Sequence, residues 1–157
     1  MGSPLLARPR GKSRGFTFAE VLMVIGIIGI LTSLAYWRMG PGLVQARVNR
    51  AAWLLAADLQ YAQLMAARQR RPVVVIVVES TRSYAIRDRA TAEIFRQRDL
   101  GDGTEFQVDS LEATPTTIEI FPTGVTAGNV TFRIGLAGHE REVRLTRAGQ
   151  VRINSSG

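Results

Sequence analysis

The sequence predicts an α+β fold, a long N-terminal helix packed on an antiparallel β-sheet or sandwich head. Three observations carry this expectation. Residues 21–37 form an apolar run without a charge. Apolar residues then recur at alternating spacings of four and three between positions 48 and 66, which marks one face of a second helical stretch. After Pro72 the chain breaks into short β-branched or alternating runs divided by Gly- and Pro-containing turns.

Residues 1–14 hold Pro4, Pro9, Gly11 and four basic side chains, Arg8, Arg10, Lys12 and Arg14, with no apolar periodicity. Such a segment reads as a positively charged leader left in the cytoplasm. The 157-residue chain has a formal net charge of +7; without those four residues it keeps 16 basic against 13 acidic, a net +3, so the folded part is only mildly basic. It contains no Cys, which excludes a disulfide framework and any thiolate metal site.

Extended back over residues 16–19, the apolar run amounts to about 22 residues, enough to cross roughly 30 Å of hydrocarbon as a helix. Tyr36, Trp37 and Arg38 supply an interfacial anchor at its far end. Gly26, Gly29 and Ser33 provide small surfaces for close helix approach. Glu20 is the anomaly, because an ionisable group in such a segment is costly and calls for a named partner.

Gly40, Pro41 and Gly42 predict a kink or a locally melted turn, since Pro41 lacks an N–H and clashes with the preceding turn. The stripe that follows, Val48, Ala52, Leu55, Leu59, Ala62 and Ala66, is expected to lie on a sheet, with Arg47, Arg50, Asp58 and Gln69 off it. Arg68, Arg70 and Arg71 complement the helix dipole and Pro72 ends the helix.

Residues 73–78 are wholly β-branched and suit a buried strand. Further strands are expected over 83–87, 105–108, 117–121, 130–134, 142–146 and 151–154, with 87–102 a surface loop holding one short strand. Strands this short and frequent imply antiparallel sheets or a sandwich.

Catalysis is not expected. His139 is the only histidine and sits in a turn, and no phosphate loop, metal-spaced cluster or nucleophile motif is present, so neither metal nor cofactor is implied. Between residues 133 and 152, five arginines (Arg133, Arg141, Arg144, Arg147, Arg152) face Glu140 and Glu142, a local +3 suited to phosphate contact.

The tract Gly15-Phe16-Thr17-Phe18-Ala19-Glu20, preceded by basic residues and followed by the apolar helix, resembles the class III signal of type IV pilins and pseudopilins. The resemblance implies cleavage by a prepilin peptidase between Gly15 and Phe16, N-methylation of Phe16, and pairing of Glu20 with the Phe16 amine of a neighbouring subunit. It also implies a helix that first anchors the chain in the inner membrane, N-terminus cytoplasmic and head periplasmic or extracytoplasmic, and then joins a filament core. The partners implied are other pilins or pseudopilins and an inner-membrane assembly platform.

Beyond the helix, residues 118–124 (Ile-Glu-Ile-Phe-Pro-Thr-Gly) and 147–152 (Arg-Ala-Gly-Gln-Val-Arg) are similar to the GspH/FimT group of minor pseudopilins. That likeness implies a minor subunit, priming assembly or placed at the tip of a type IV pilus or type II secretion pseudopilus. Two other roles stay open: a DNA-binding minor pilin for natural transformation, using Arg144, Arg147 and Arg152, and a major pilin. Residues 1–15 are then the leader, 16–37 the transmembrane and filament-core helix, 38–71 the amphipathic half-helix and 72–157 the β head.

Overall fold

A single helix, α1 (Phe18–Gln69), opens the described chain. The structure, a computed structural model, describes residues 17–155, with side chains over 17–34 and 42–154. Contacts divide the chain into two compact units, Met1–Met39 and Gly40–Gly157.

In the first unit every described side chain from 17 to 34 is exposed, including Phe18, Leu22, Met23, Ile25, Ile30, Leu31 and Leu34. Thr32 and Ser33 turn their hydroxyls back on the helix, donating to the carbonyls of Ile28 (2.7 Å) and Ile30 (2.8 Å). Among the described residues no helix is long and apolar enough to cross a membrane. The apolar stretch with described side chains stops at Leu34, whereas the run in the sequence continues to Trp37.

Helical structure continues through Gly40, Pro41 and Gly42, which corrects the expected melted turn. Proline withholds a single N–H, and the bonds of the neighbouring turns hold the helical dihedrals on both sides.

In the second unit, α1 buries Val48, Ala52, Leu55, Leu59, Ala62 and Ala66, the stripe expected from spacing, together with Ala51 and Ala56. Its end is set at Arg70, whose φ of 55° is the left-handed cap conformation, and Pro72 then leads into the first strand.

Among the described residues eight strands follow: β1 (Val73–Val78), β2 (Ser83–Asp88), β3 (Ile94–Asp99), β4 (Ser110–Thr114), β5 (Thr117–Ile120), β6 (Val130–Leu136), β7 (His139–Leu145) and β8 (Val151–Ser155). They form two antiparallel four-stranded sheets, ordered β3-β2-β1-β5 and β4-β6-β7-β8. The helix stripe and the inner faces of both sheets meet in one core, with Tyr84, Ile86, Phe132, Ile134 and Leu145 among its largest side chains.

The strand expected over 105–108 is replaced by a turn. Gln107 has a φ of 51°, and the Thr104 hydroxyl oxygen accepts from the N–H groups of Phe106 and Gln107. The strand lies instead at 110–114, where Leu111 and Ala113 alternate inward.

Candidate functional site

The helix begins with a cap that residue spacing alone did not single out. Thr17 precedes α1, and its hydroxyl oxygen accepts the N–H of Glu20 at 3.3 Å, one half of a capping box three residues apart. Glu20 therefore has a local reason for its place, since a carboxylate in the first turn offsets the positive end of the helix dipole. Its side chain is exposed and joins no ion pair among the described residues. Gly15 and Phe16 lie outside the described residues.

Gly26 and Gly29 have nothing within 4 Å of where a Cβ would stand. Among the described residues their smallness serves no contact, so the space they leave is open to a neighbouring surface.

In the head, Asp58 corrects the reading that placed it off the buried stripe: it is 1% exposed. Its carboxylate accepts from the Tyr84 hydroxyl (2.8 Å), from Arg96 Nη1 and from Arg98 Nε (3.2 Å), tying α1 to β2 and β3. The Arg96 guanidinium also lies 3.9 Å from the centroid of the Tyr61 ring. Burial, and after it the charge of Asp58, pushes the Tyr84 hydroxyl far above its ordinary value, so it stays a donor. The hydrogen bond to Asp58 likewise raises Arg96. A buried carboxylate needs such partners, because an unpaired charge there is strongly destabilising.

The arginines assigned to phosphate contact are brought together in part. Arg144 and Arg152 are register partners on β7 and β8 and both are exposed, while Arg147 is exposed in the turn between those strands. Arg144 forms an ion pair with Glu142 at 2.7 Å. The adjoining row runs Glu112, Arg133, Glu142 across β4, β6 and β7, so carboxylates interrupt the basic face. Among the described residues no group of three or more His, Asp or Glu is placed to hold a metal ion.

Residues 118–124 and 147–152, distant in sequence, are in contact. Gly149 takes a φ of 83°, a Cβ there would collide with the Gly124 carbonyl oxygen, and its own carbonyl accepts from Gln63 Nε2 at 2.7 Å. The Arg147 carbonyl accepts the Thr126 N–H at 3.0 Å. The β7–β8 turn is thereby fixed to both the helix and the segment that follows β5.

Comparison with known proteins agrees with this architecture. The family described as type II transport protein GspH matches residues 51–157, and the prokaryotic N-terminal methylation motif matches residues 10–36. No curated protein matches the chain. The structure is similar to the type IV minor pilin FimU of Pseudomonas aeruginosa strain PAO1 in two crystal forms. The form in space group P21 is 20% identical, with a TM-score of 0.59 over 71% of this chain and 91% of that one. The P65 form is 23% identical, with a TM-score of 0.55 over 69% and 93%. At such identity the likeness shows a shared fold.

Proposed function

Because the chain belongs to the GspH family of type II transport proteins, minor pilin and pseudopilin subunits, we propose that it is made as a precursor and built into a filament after processing. A prepilin peptidase cuts between Gly15 and Phe16, and the new N-terminus at Phe16 is methylated. Residues 16–37 hold the chain in the inner membrane as a single span, with the head on the periplasmic or extracytoplasmic side. The subunit then enters a type IV pilus or type II secretion pseudopilus, in the complex that primes assembly or sits at the tip.

The observation that carries this reading is the methylation motif running into a helix whose described side chains, 18–34, are all exposed. Apolar surface of that extent is stable only under cover of lipid or of other helices. The inward-turned hydroxyls of Thr32 and Ser33 fit both settings, since neither leaves a donor unsatisfied in hydrocarbon. Glu20 then serves twice: it favours the helix start, and it pairs with the Phe16 amine of the adjacent subunit. Each of those charges is costly in an apolar medium and each relieves the other, which selects the correct stagger.

Two substitutions test the sequence of events. Gly15→Val leaves full-length precursor on a blot when the peptidase is coexpressed; normal processing refutes the cleavage site. Glu20→Val is cleaved and inserted normally but is depleted from sheared filaments, and wild-type incorporation removes the pairing.

A further inference from the structure

Among the described residues the head has four sheet edges; two of them are bonded on their free side and a third is bulged. On β4 the Ala113 N–H donates to a Glu79 carboxylate oxygen at 3.1 Å. The free side of β5 is bridged at Thr126, and the Ala127 N–H donates to the Glu119 carbonyl. β3 is irregular where it pairs with β2, its register shifting between Ile86 and Arg87, which interrupts a regular template. None of these devices protects β8, which pairs regularly with β7 and with no other strand among the described residues. Edges left in that state are templates for another strand.

Next to this edge a groove of about 360 Å³ opens between α1 and β8, lined by Asn49, Trp53 and Gln60 on the helix and by Arg141, Val151 and Ile153. Trp53 is 67% exposed, although its neighbours Ala51, Ala52, Leu55 and Ala56 are buried. The Thr146 N–H donates to the Gln150 carbonyl at 2.9 Å, which sets the alternation of the β7–β8 ladder. By that alternation Arg144 and Arg152 are a bonded pair, and Val151 and Ile153 direct their N–H and C=O groups to the open side. The two residues whose side chains line the groove thus also offer the free backbone.

Charge selects the occupant. On the sheet face away from the groove, Arg152 lies beside its register partner Arg144; Arg144 is paired with Glu142, whereas no carboxylate pairs with Arg152 among the described residues, its contact being Gln150 Oε1 at 3.2 Å. A second copy laid against β8 would bring like charges together; an acidic strand neutralises them. We propose that β8 receives an extended segment of a different filament subunit, alternating apolar and acidic residues. Its apolar side chains enter the groove at Trp53 and its acidic ones face Arg152, in the strand-addition mode of recognition. This inference rests on the reading of the chain as a filament subunit.

The test uses the full chain in cells that build the filament. A benzophenone side chain at position 154 is photo-activated and the cross-linked peptides are mapped by mass spectrometry. The expected product joins β8 to an acidic, extended segment of another pilin-like subunit; products with a second copy, with a helix or with nucleic acid overturn the proposal. In parallel, Trp53→Glu and Ile153→Pro are expected to lower the amount in sheared filaments about tenfold, the scale of losing an interface anchor. Processing at Gly15 and thermal unfolding of the full chain in detergent stay as in wild type for Trp53→Glu. Ile153→Pro removes one outward N–H and leaves the β7 ladder intact. Wild-type incorporation of both variants overturns the inference while leaving the filament role standing. Absence of the unaltered chain from filaments overturns the role itself, and this inference with it.

Discussion

The two units of the chain differ in whether they finish their own surface. In the head, apolar side chains from α1 and both sheets close on one core, and the buried carboxylate of Asp58 finds three donors. In the apolar half of α1, described side chains stay exposed on every face and two glycines face open space. The head is a folded object by itself, whereas the apolar half reaches its low-energy state only when lipid or another helix covers it. Substitutions in the first should act on stability, and those in the second on assembly.

The largest effect on stability is expected at Gly149. Gly149→Ala places a side chain in a left-handed conformation and against the Gly124 carbonyl, so a loss of about 3 kcal/mol in urea unfolding is expected. A loss under about 0.5 kcal/mol would mean that the β7–β8 turn shifts freely, and that the head is less closed than described. Asp58→Ala follows, at about 2 kcal/mol, because the Tyr84 hydroxyl loses its acceptor in the core while Arg96 and Arg98 keep some access to water.

Asp88 gives a smaller, pH-dependent effect. The Thr91 N–H, and with it that of Ala90, holds its carboxyl below the ordinary 3.8. A depressed folded value stabilises above the unfolded one and the contribution is lost as pH falls through the folded value. Unfolding midpoints measured at pH 5 and pH 3 should therefore separate more for wild type than for Asp88→Asn; an equal separation refutes the turn's dependence on that charge. The smallest effect on the chain's own fold is expected for Gly26→Leu, since among the described residues nothing stands within 4 Å of the added Cβ. Helicity and unfolding should match wild type while filament content drops, and unchanged filament content would show that the glycine face meets no neighbour.

Much of the architecture was legible because it follows from periodicity. The stripe at 48, 52, 55, 59, 62 and 66 buries the residues its spacing selects, and the β-branched run at 73–78 forms a strand that buries Val73, Val74, Val75 and Val77 while Val78 is exposed. Asp58 was misplaced because helical spacing ranks positions by their apolar neighbours and cannot see three donors arriving from β2 and β3. The strand at 110–114 was missed and one at 105–108 expected, since the turn there depends on the Thr104 hydroxyl and a left-handed Gln107, a local choice that competes with extended structure. The Pro41 position was read as a break because the effect of proline on one turn is strong, yet the helix around it is long.

Of the candidate site, Glu20 is marked by the residues alone, because a lone acid in an apolar run is conspicuous in any window of sequence, whereas Gly15 and Phe16 come from the resemblance of the tract to a class III signal. Residue types left Thr17 unmarked, since a capping threonine becomes visible only when the helix start is placed. Proximity in the chain groups Arg144, Arg147 and Arg152 and counts Glu140 and Glu142 against them, but does not see Glu112, which β4 pairing sets beside Arg133 in the adjoining row.

By itself, then, the sequence determined the apolar helix with its acid, the amphipathic face behind it and the β character of the head, all of which depend on order along the chain. Only the tertiary structure decided which strand shares a sheet with which, the burial of Asp58, the meeting of Gly124 with Gly149 and the exposure of β8. Those depend on contacts between residues far apart in sequence, where many pairings satisfy the same local pattern and packing selects one.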